Sequence, residues 1–313
     1  MTLYQVAILF LNGAGHASLY YWSRQFPNVD YQLLTAFFRR GILPQMLVAK
    51  AWQRFHPLTK GWLIIDEIIL AKSKVGRCPA VKRRYKSAGG YVTPGLSVVV
   101  LLWTDGVWRV PLRFKLWRPG DGTAVDVALE LFGWVRNELH WKPTCVLFDA
   151  GFAAARLLVR LNNYGWAFVC RAPKSRKLDG VQLWQYKRQG YWHAVGEAWC
   201  GIKLLVIRRK AKFYLTNRLS WSAEEALAWY SERHEIEETL KLFKGVCHWG
   251  SCQSSDDEAI ERFLAVGMVV FMVWEAERVK APSPTTIYQL RKKATLSPRM
   301  FIPPSLKRLP KVS

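Results

Sequence analysis

Residues 62–70 read Trp-Leu-Ile-Ile-Asp-Glu-Ile-Ile-Leu, a nearly continuous apolar run interrupted by one acidic pair. A short run of this kind predicts a strand that is buried on both faces. A carboxylate in such a strand is unfavourable unless it is paired or bound to a metal ion. Asp66 and Glu67 therefore suggest a chemical role, although a carboxylate that caps the strand or pairs with one of the many lysines would look the same.

The segments that follow predict an α/β fold. A hairpin is expected from strands 96–103 and 107–117, because Thr104-Asp105-Gly106 between them is a strong turn signal. A helix (124–140), a short strand (144–148), a second helix (153–162) and another strand (166–171) come next. Three strands, helix, strand, helix, strand is the order of an RNase H-like mixed sheet flanked by helices.

The rest of the chain suggests appendages to this core. Residues 1–60 predict a helical N-terminal DNA-binding segment, with helices at 31–38 and 44–55. The core itself is expected over 61–173 and 218–280, interrupted by an inserted β-rich subdomain at 174–217. Two long helices at 223–246 and 257–279 close it, and 281–313 is expected to be a basic C-terminal tail.

The charge of the chain predicts a polyanionic partner. Its 313 residues contain 46 Lys and Arg against 23 Asp and Glu, a formal net charge of +23. The basic residues are spread through the chain, so a solvated tail does not account for the surplus. Phosphates would neutralise it and release counterions, whereas an acidic membrane surface would also attract it.

Cysteine usage and hydropathy indicate a reducing compartment and no membrane anchor. The six cysteines are scattered without Cys-x-x-Cys spacing, which is typical of cytosolic proteins. The apolar run 263–274 is too short to span a bilayer. We therefore expect a cytoplasmic protein.

A second carboxylate lies at the end of another buried strand. Asp149 follows the apolar residues 145–148 directly. Two-metal phosphoryl transfer uses carboxylates that converge from different elements and hold two Mg²⁺ ions about 4 Å apart. Asp66 and Asp149 are candidates for two of them.

The third candidate belongs to a helix with a mixed stripe of charge. Residues 230–244 contain Tyr-x2-Arg-x3-Glu-x6-Lys. At 100° per residue, the side chains of this stripe fall within an arc of roughly 80° on one helix face; they are Tyr230, Arg233, Glu237, Lys241 and Lys244. An exposed face with i,i+4 ion pairs is the common meaning of such a mixture, but a metal ligand beside cations that grip a phosphodiester would have the same pattern.

This helix resembles the Tyr-Arg-Glu-Lys signature of the insertion-sequence-four family of DDE transposases. The resemblance extends over roughly residues 61–280 and includes Leu-Ile-Ile-Asp66 and Leu-Phe-Asp149-Ala-Gly-Phe152. It implies that Asp66, Asp149 and Glu237 are catalytic and hold two Mg²⁺ ions, for which Mn²⁺ substitutes. It also implies that Tyr230, Arg233 and Lys244 contact the DNA backbone.

The resemblance implies a cut-and-paste DNA transposase that acts on terminal inverted repeats and target DNA as a homodimer on paired ends in the nucleoid. We expect further DNA contacts from Lys241 and from a basic loop that follows Asp66, including Lys72, Lys74, Arg83 and Arg84. One of three tryptophans in the β-rich segment could stack a flipped base, although core packing is the simpler role for each of them: Trp184, Trp192 and Trp199.

One departure leaves alternatives open. Many relatives have Asp-Asp-Thr where this chain has Asp66-Glu67-Ile68, and because neighbours on a strand face opposite sides, only one of the two acids should reach a metal. Glu235 and Glu238 are lesser rivals of Glu237, since both lie off the stripe. The departure also suggests an attenuated, transposase-derived DNA-binding protein. Another RNase H-like nuclease would share the acids but would not need the signature helix.

Overall fold

The computed structural model describes residues 2–12, 19–26, 29–40, 43–55, 60–72, 78–86, 91–186, 190–295 and 302–304. Their buried apolar side chains form one large core that extends from the N-terminal helices to the last helix. The N-terminal helices, the sheet and the C-terminal helices therefore share one core.

In the described ranges, four helices precede the sheet: α1 (Leu3–Asn12), α2 (Leu19–Gln25), α3 (Tyr31–Arg40) and α4 (Pro44–Phe55). The helices predicted at 31–38 and 44–55 are present as α3 and α4. These N-terminal helices pack on the central helix α9 (Asp257–Lys280) through apolar faces that include Leu34 and Val48. Arg262 of α9 also donates hydrogen bonds to the last carbonyl groups of α3.

The sheet begins with the five strands expected of an RNase H-like core. They are β1 (Trp62–Ala71), β3 (Tyr91–Thr104), β4 (Arg109–Trp117), β5 (Val146–Phe148) and β6 (Phe168–Ala172). Their spatial order is β4-β3-β1-β5-β6, with β3 antiparallel to β1 and β4, and with β5 parallel to β1 and β6. The helices α5 (Ala124–Asn137) and α6 (Ala155–Asn163) make the two crossover connections. The predicted fold class is confirmed.

Local chemistry explains the tight turn and the helix start in this core. At the β3–β4 turn, the Asp105 carboxylate accepts hydrogen bonds from the backbone N–H groups of Val107 and Trp108, and Gly106 adopts φ +91°. Helix α5 starts at a capping box in which Thr123 and Asp126 satisfy each other's backbone N–H groups.

The basic segment after β1 is not simply a loop. Residues Lys82–Lys86 form strand β2, which pairs antiparallel with the first half of β3. We expected a loop because lysine and arginine are so dense there. The backbone hydrogen bonds to β3 do not depend on those side chains, which explains why a basic strand forms.

Most of the inserted β-rich segment at 174–217 joins the central sheet. Strands β9 (Trp192–Glu197), β10 (Lys203–Arg209) and β11 (Lys212–Thr216) extend the central sheet, because β11 pairs with β6. Only β7 (Lys177–Leu178) and β8 (Val181–Gln182) form a small sheet of their own. Nine strands in the described ranges thus make one mixed sheet.

The described part of the chain has four helices after the sheet: α7 (Ala223–Ser231), α8 (His234–Gly245), α9 and α10 (Ile287–Thr295). Helix α9 is buried on nearly all sides and begins at Asp256, whose carboxylate accepts from the N–H of Ala259. No helix in the described ranges is long and apolar enough to cross a bilayer. Part of the expected C-terminal tail is α10, whose Ile287 is buried in the core.

Candidate active site

The register of two parallel strands brings Asp66 and Asp149 together. Ile64 of β1 pairs with Leu147 of β5, and two more residues along each strand place Asp149 opposite Asp66. Residues that pair laterally in a sheet point to the same face. The two carboxylates therefore share one face, at the carboxyl end of β5.

The electrostatics of Asp66 reflect this proximity. Burial raises the pKa of Asp66 from 3.8 to about 6; the Arg233 guanidinium opposes the shift and the Asp149 carboxylate adds to it. The raised pKa means that burial disfavours the ionised carboxylate by more than the Arg233 guanidinium stabilises it.

The chain turns sharply immediately after Asp149. The backbone N–H of Gly151 donates to Asp149 Oδ1 at 2.8 Å. A Cβ at position 151 would lie 3.1 Å from the same oxygen. Glycine thus lets the turn close around the carboxylate and fixes its orientation.

Asp66, and not Glu67, faces the helices that follow the sheet. Arg233 Nη1 lies 2.8 Å from Asp66 Oδ2, whereas Glu67 is on the opposite face of β1 by strand alternation. The Glu67 backbone N–H donates to Asp66 Oδ1 at 2.8 Å, which further orients the aspartate.

The predicted helix 223–246 is wrong in one respect: it is interrupted inside the signature. Helix α7 ends at Ser231 and α8 begins at His234. At this joint the N–H of Arg233 donates to the carbonyl of Tyr230 at 3.1 Å, an i to i−3 bond that tightens the chain. Tyr230 therefore belongs to α7, and the single helical stripe does not exist.

Arg233 nevertheless unites the signature residues. Besides Asp66, its guanidinium forms an ion pair with Glu237 one turn along α8. The guanidinium carbon Cζ of Arg233 lies 5.7 Å from the centroid of the Tyr230 ring, and the Arg233 side chain is only 14% exposed. The third acid is thus connected to the first through an arginine.

Arg171 is a site residue that the sequence did not reveal. Phe148 pairs with Cys170 across β5 and β6, so one more residue places Arg171 beside Asp149. Its Nε is buried and has no hydrogen-bond partner in the described part of the chain. The available signal was a basic residue near the end of the apolar strand that neighbours Asp149.

Tyr230 lies next to Arg171 and Arg233. Its ring packs edge-on against Tyr214 at 4.9 Å, and burial raises the pKa of its hydroxyl group. Arg233, Arg171 and Asp149 all act electrostatically on that hydroxyl. A neutral phenol and two guanidinium groups therefore surround the aspartates.

The other predicted cations are arranged differently. Lys72 Nζ donates to the carbonyl oxygens of Cys252 and Ser254, both at 2.7 Å, so in this structure it holds the polypeptide and does not project freely. Lys241 is exposed and pairs with Glu238, and Lys244 is exposed on α8. Lys74 and the side chains of Arg83 and Arg84 lie outside the described residues.

The rivals of Glu237 face other partners. Glu235 lies 3.8 Å from Arg109 and Glu238 pairs with Lys241. Of the three tryptophans, Trp192 is buried and Trp199 is half-buried beneath Arg176. Trp184, at 55% exposed, is the one with a solvent-facing ring.

The carboxylates suit a hard divalent cation, but their arrangement is incomplete. Within the described ranges, no three Asp, Glu, His or Cys side chains are close enough together to hold a metal ion. Oxygen ligands are those Mg²⁺ prefers, and a bound cation would oppose the rise that burial causes in the pKa of Asp66. The two aspartates fit the ion, and Arg233 pairs with both Asp66 and Glu237.

Comparison with protein families decides the class. A family model described as "Transposase DDE domain" matches residues 70–272, more than half of the chain. The chain belongs to this transposase family. The match contains Asp149 and Glu237 and begins just after Asp66. The predicted enzyme class, DNA transposase, is confirmed.

Solved structures support the fold of this transposase. A cryo-EM structure of piggyBac transposase in a synaptic complex with hairpin DNA is similar with a TM-score of 0.56 and 10% sequence identity. The similarity covers 93% of this chain and 68% of that one. No curated protein matches the chain.

Proposed function

We propose that this transposase is of the insertion-sequence-four type and catalyses metal-dependent DNA cleavage at transposon ends, followed by strand transfer into target DNA. The observation that carries the proposal is the placement of Asp149 beside Asp66 by the register of β1 and β5, next to the helix of Glu237. This arrangement supports assigning the three acids as the catalytic carboxylates.

Asp66, Asp149 and Glu237 would hold the metal ions, Mg²⁺ or Mn²⁺, with two ions expected. A bound divalent ion supplies charge that activates the attacking oxygen and stabilises the leaving one. The chain's own task is to release Glu237 from Arg233 and to orient the aspartates, which Gly151 and the Glu67 backbone already do.

Arg171, Arg233 and Tyr230 would bind the phosphodiester next to the acids. A guanidinium group forms bidentate hydrogen bonds with phosphate as it does with carboxylate. Arg233 can therefore exchange Asp66 and Glu237 for a DNA phosphate, and the buried Nε of Arg171 is a donor whose partner would be the same phosphate.

More distant cations would follow the DNA backbone. These are Lys241 and Lys244 on α8, with Lys74, Arg83 and Arg84 from the basic segment. The net charge of +23 supports terminal inverted repeats and target DNA as partners. We further propose a homodimer on paired ends in the bacterial cytoplasm, because two ends must be cut and joined together.

The decisive experiment is cleavage of a duplex that contains the inverted repeats flanking the gene. With Mg²⁺, the wild type should release a 3′-OH at the repeat boundary, and Asp149→Asn and Glu237→Gln should lose this activity while still binding DNA. Glu238→Gln is the matched control, since Glu238 is the next residue of α8 and pairs with Lys241 instead.

Two outcomes contradict the proposal. Cleavage of branched DNA but not of the repeats would identify another RNase H-like nuclease. Repeat binding without cleavage in either Mg²⁺ or Mn²⁺ would favour the attenuated DNA-binding protein, which the Asp66-Glu67-Ile68 departure and the pairing of Arg233 with two acids both support.

A further inference from the structure

A cavity of about 200 Å³ lies among α2, α3, the start of α9 and residues 252–254. None of the three acids lines it. Its floor is apolar and buried, formed by Phe38 and Phe263, whose ring centroids are 5.7 Å apart. Its mouth is formed by Tyr20 and Tyr31.

The two tyrosine rings at the mouth are unusually open. Tyr20 is 59% exposed and Tyr31 is 47% exposed, and their centroids lie 6.3 Å apart at 78°. Arg24 lies 5.6 Å from the centroid of Tyr20. Two nearly perpendicular rings give a flat ligand one face on which to stack and one edge against which to rest.

Polar groups are placed along the wall of the cavity. Thr35 Oγ1 is buried and has no hydrogen-bond partner in the described part of the chain, which is unfavourable unless a ligand supplies one. Gln253 lines the same cavity, and the hydrogen bond that its amide donates to the Ser251 carbonyl is long at 3.4 Å. A hydroxyl and an amide can each donate and accept, as the edge of a nucleobase requires.

The cavity is flanked by positive charge. Arg39 lines it with an exposed side chain, and Arg24 stands at Tyr20. Aromatic faces for bases combined with cations for the backbone are the means by which proteins bind single-stranded nucleic acid.

We propose that this cavity binds one unpaired base of a DNA strand, stacked on Tyr31 and hydrogen-bonded to Thr35 and Gln253, while Arg24 and Arg39 contact the adjoining phosphates. The proposal rests on the proposed function for its choice of DNA as the ligand. The N-terminal helices would then recognise a frayed or extruded nucleotide in addition to the charged backbone of duplex DNA.

The cavity is also joined to the catalytic strand. Residues Cys252 and Ser254 accept hydrogen bonds from Lys72, which follows β1 immediately, and β1 carries Asp66. A base held against residues 252–254 would therefore be fixed with respect to the strand of the first acid.

The test uses the full chain in EDTA, so that binding is measured without cleavage. The probes are two 20-base-pair duplexes, one blunt and one with a three-nucleotide overhang that carries 2-aminopurine, whose fluorescence falls on stacking. We expect the wild type to quench the overhang probe and to prefer it to the blunt duplex. The Tyr20→Ala,Tyr31→Ala variant should lose the quenching and bind the overhang probe about tenfold more weakly.

Three controls separate this site from general binding. Tyr4→Ala removes another exposed tyrosine, on α1, and should leave both signals unchanged. Tyr31→Phe should keep the quenching because the ring remains, and Thr35→Val should reduce the overhang preference at unchanged blunt-duplex affinity.

The proposal is overturned if the double variant quenches like the wild type, or if it loses affinity for both duplexes equally. It is also overturned if adenosine monophosphate competes as well as the overhang strand, since the site would then be one for free nucleotides. Cleavage of inverted repeats in Mg²⁺ is scored separately, so failure of the cavity leaves the proposed function standing, and loss of cleavage with intact quenching would count against the proposed function alone.

Discussion

Asp66→Asn should make the metal-free protein more stable at alkaline pH although it removes a candidate catalytic acid. The Asp66 side chain is only 18% exposed, and burial raises its pKa from 3.8 to about 6. A shift of roughly two units corresponds to about 3 kcal/mol. Ionised Asp66 thus opposes folding by this amount, and asparagine carries no charge.

The pH dependence has a definite sign. The folded chain binds the Asp66 proton more tightly than the unfolded chain, so this contribution to stability is full below about pH 4 and is lost as the pH rises through about 6. The variant should therefore exceed the wild type by about 3 kcal/mol at pH 8, and by only about 1 kcal/mol at pH 4.5.

Urea unfolding in EDTA, followed by tryptophan fluorescence at both pH values, measures the difference. Glu67→Gln is the matched control, because it removes a carboxylate from the same strand but on the opposite face. The reasoning is refuted if Asp66→Asn gains no stability at pH 8, or if Glu67→Gln shows the same gain. Adding Mg²⁺ at pH 8 should stabilise the wild type more than Asp66→Asn, because the ion would neutralise the carboxylate.

Three other perturbations test the contacts around the site. Arg233→Gln should raise the affinity for Mn²⁺ in the absence of DNA, measured by calorimetry, because the guanidinium no longer occupies two of the acids; unchanged affinity would contradict this. Lys72→Met should lower the free energy of unfolding by about 1–3 kcal/mol with little change in DNA affinity, since its ammonium group holds two backbone carbonyls; the reverse result would make it a DNA contact. Glu275→Gln should destabilise the protein by about 3–5 kcal/mol in thermal or urea unfolding, because this fully buried carboxylate pairs with Arg109 and Arg278; a neutral effect would show that the ion pairs contribute nothing.

The core of the fold could be predicted because its strands have clear sequence patterns. The runs around Asp66 and Asp149 are apolar and short, and Thr104-Asp105-Gly106 between two such runs leaves little choice but a hairpin. Their order along the chain then fixes the RNase H-like arrangement. Asp149 and Asp66 follow as neighbours from the parallel pairing of two strands.

The remaining features depend on strand pairing and on a helix interruption, and the periodicity of apolar residues encodes neither. Strand β11 has no residue that specifies β6 as its partner, so its addition to the central sheet was not predicted. The joint at Arg233 contains good helix formers, and tertiary contacts of Tyr230 and Arg233 override that preference. Arg171 enters the site only through strand register, which one sequence cannot supply.

The joint between α7 and α8 divides the three acids into a fixed pair and one independent member. The pairing of β1 with β5 places Asp149 beside Asp66, and the Gly151 N–H orients the Asp149 carboxylate, so this pair depends on the sheet and on the turn that follows β5. Glu237 belongs to the twelve-residue helix α8, which follows a short 3₁₀-like link at Glu232 and Arg233. Small changes of φ and ψ in this link would change the position of Glu237 relative to the sheet. Substitutions at Glu232 should therefore shift Glu237 relative to the two aspartates, whereas substitutions at Arg233 would also remove its ion pair with Asp66.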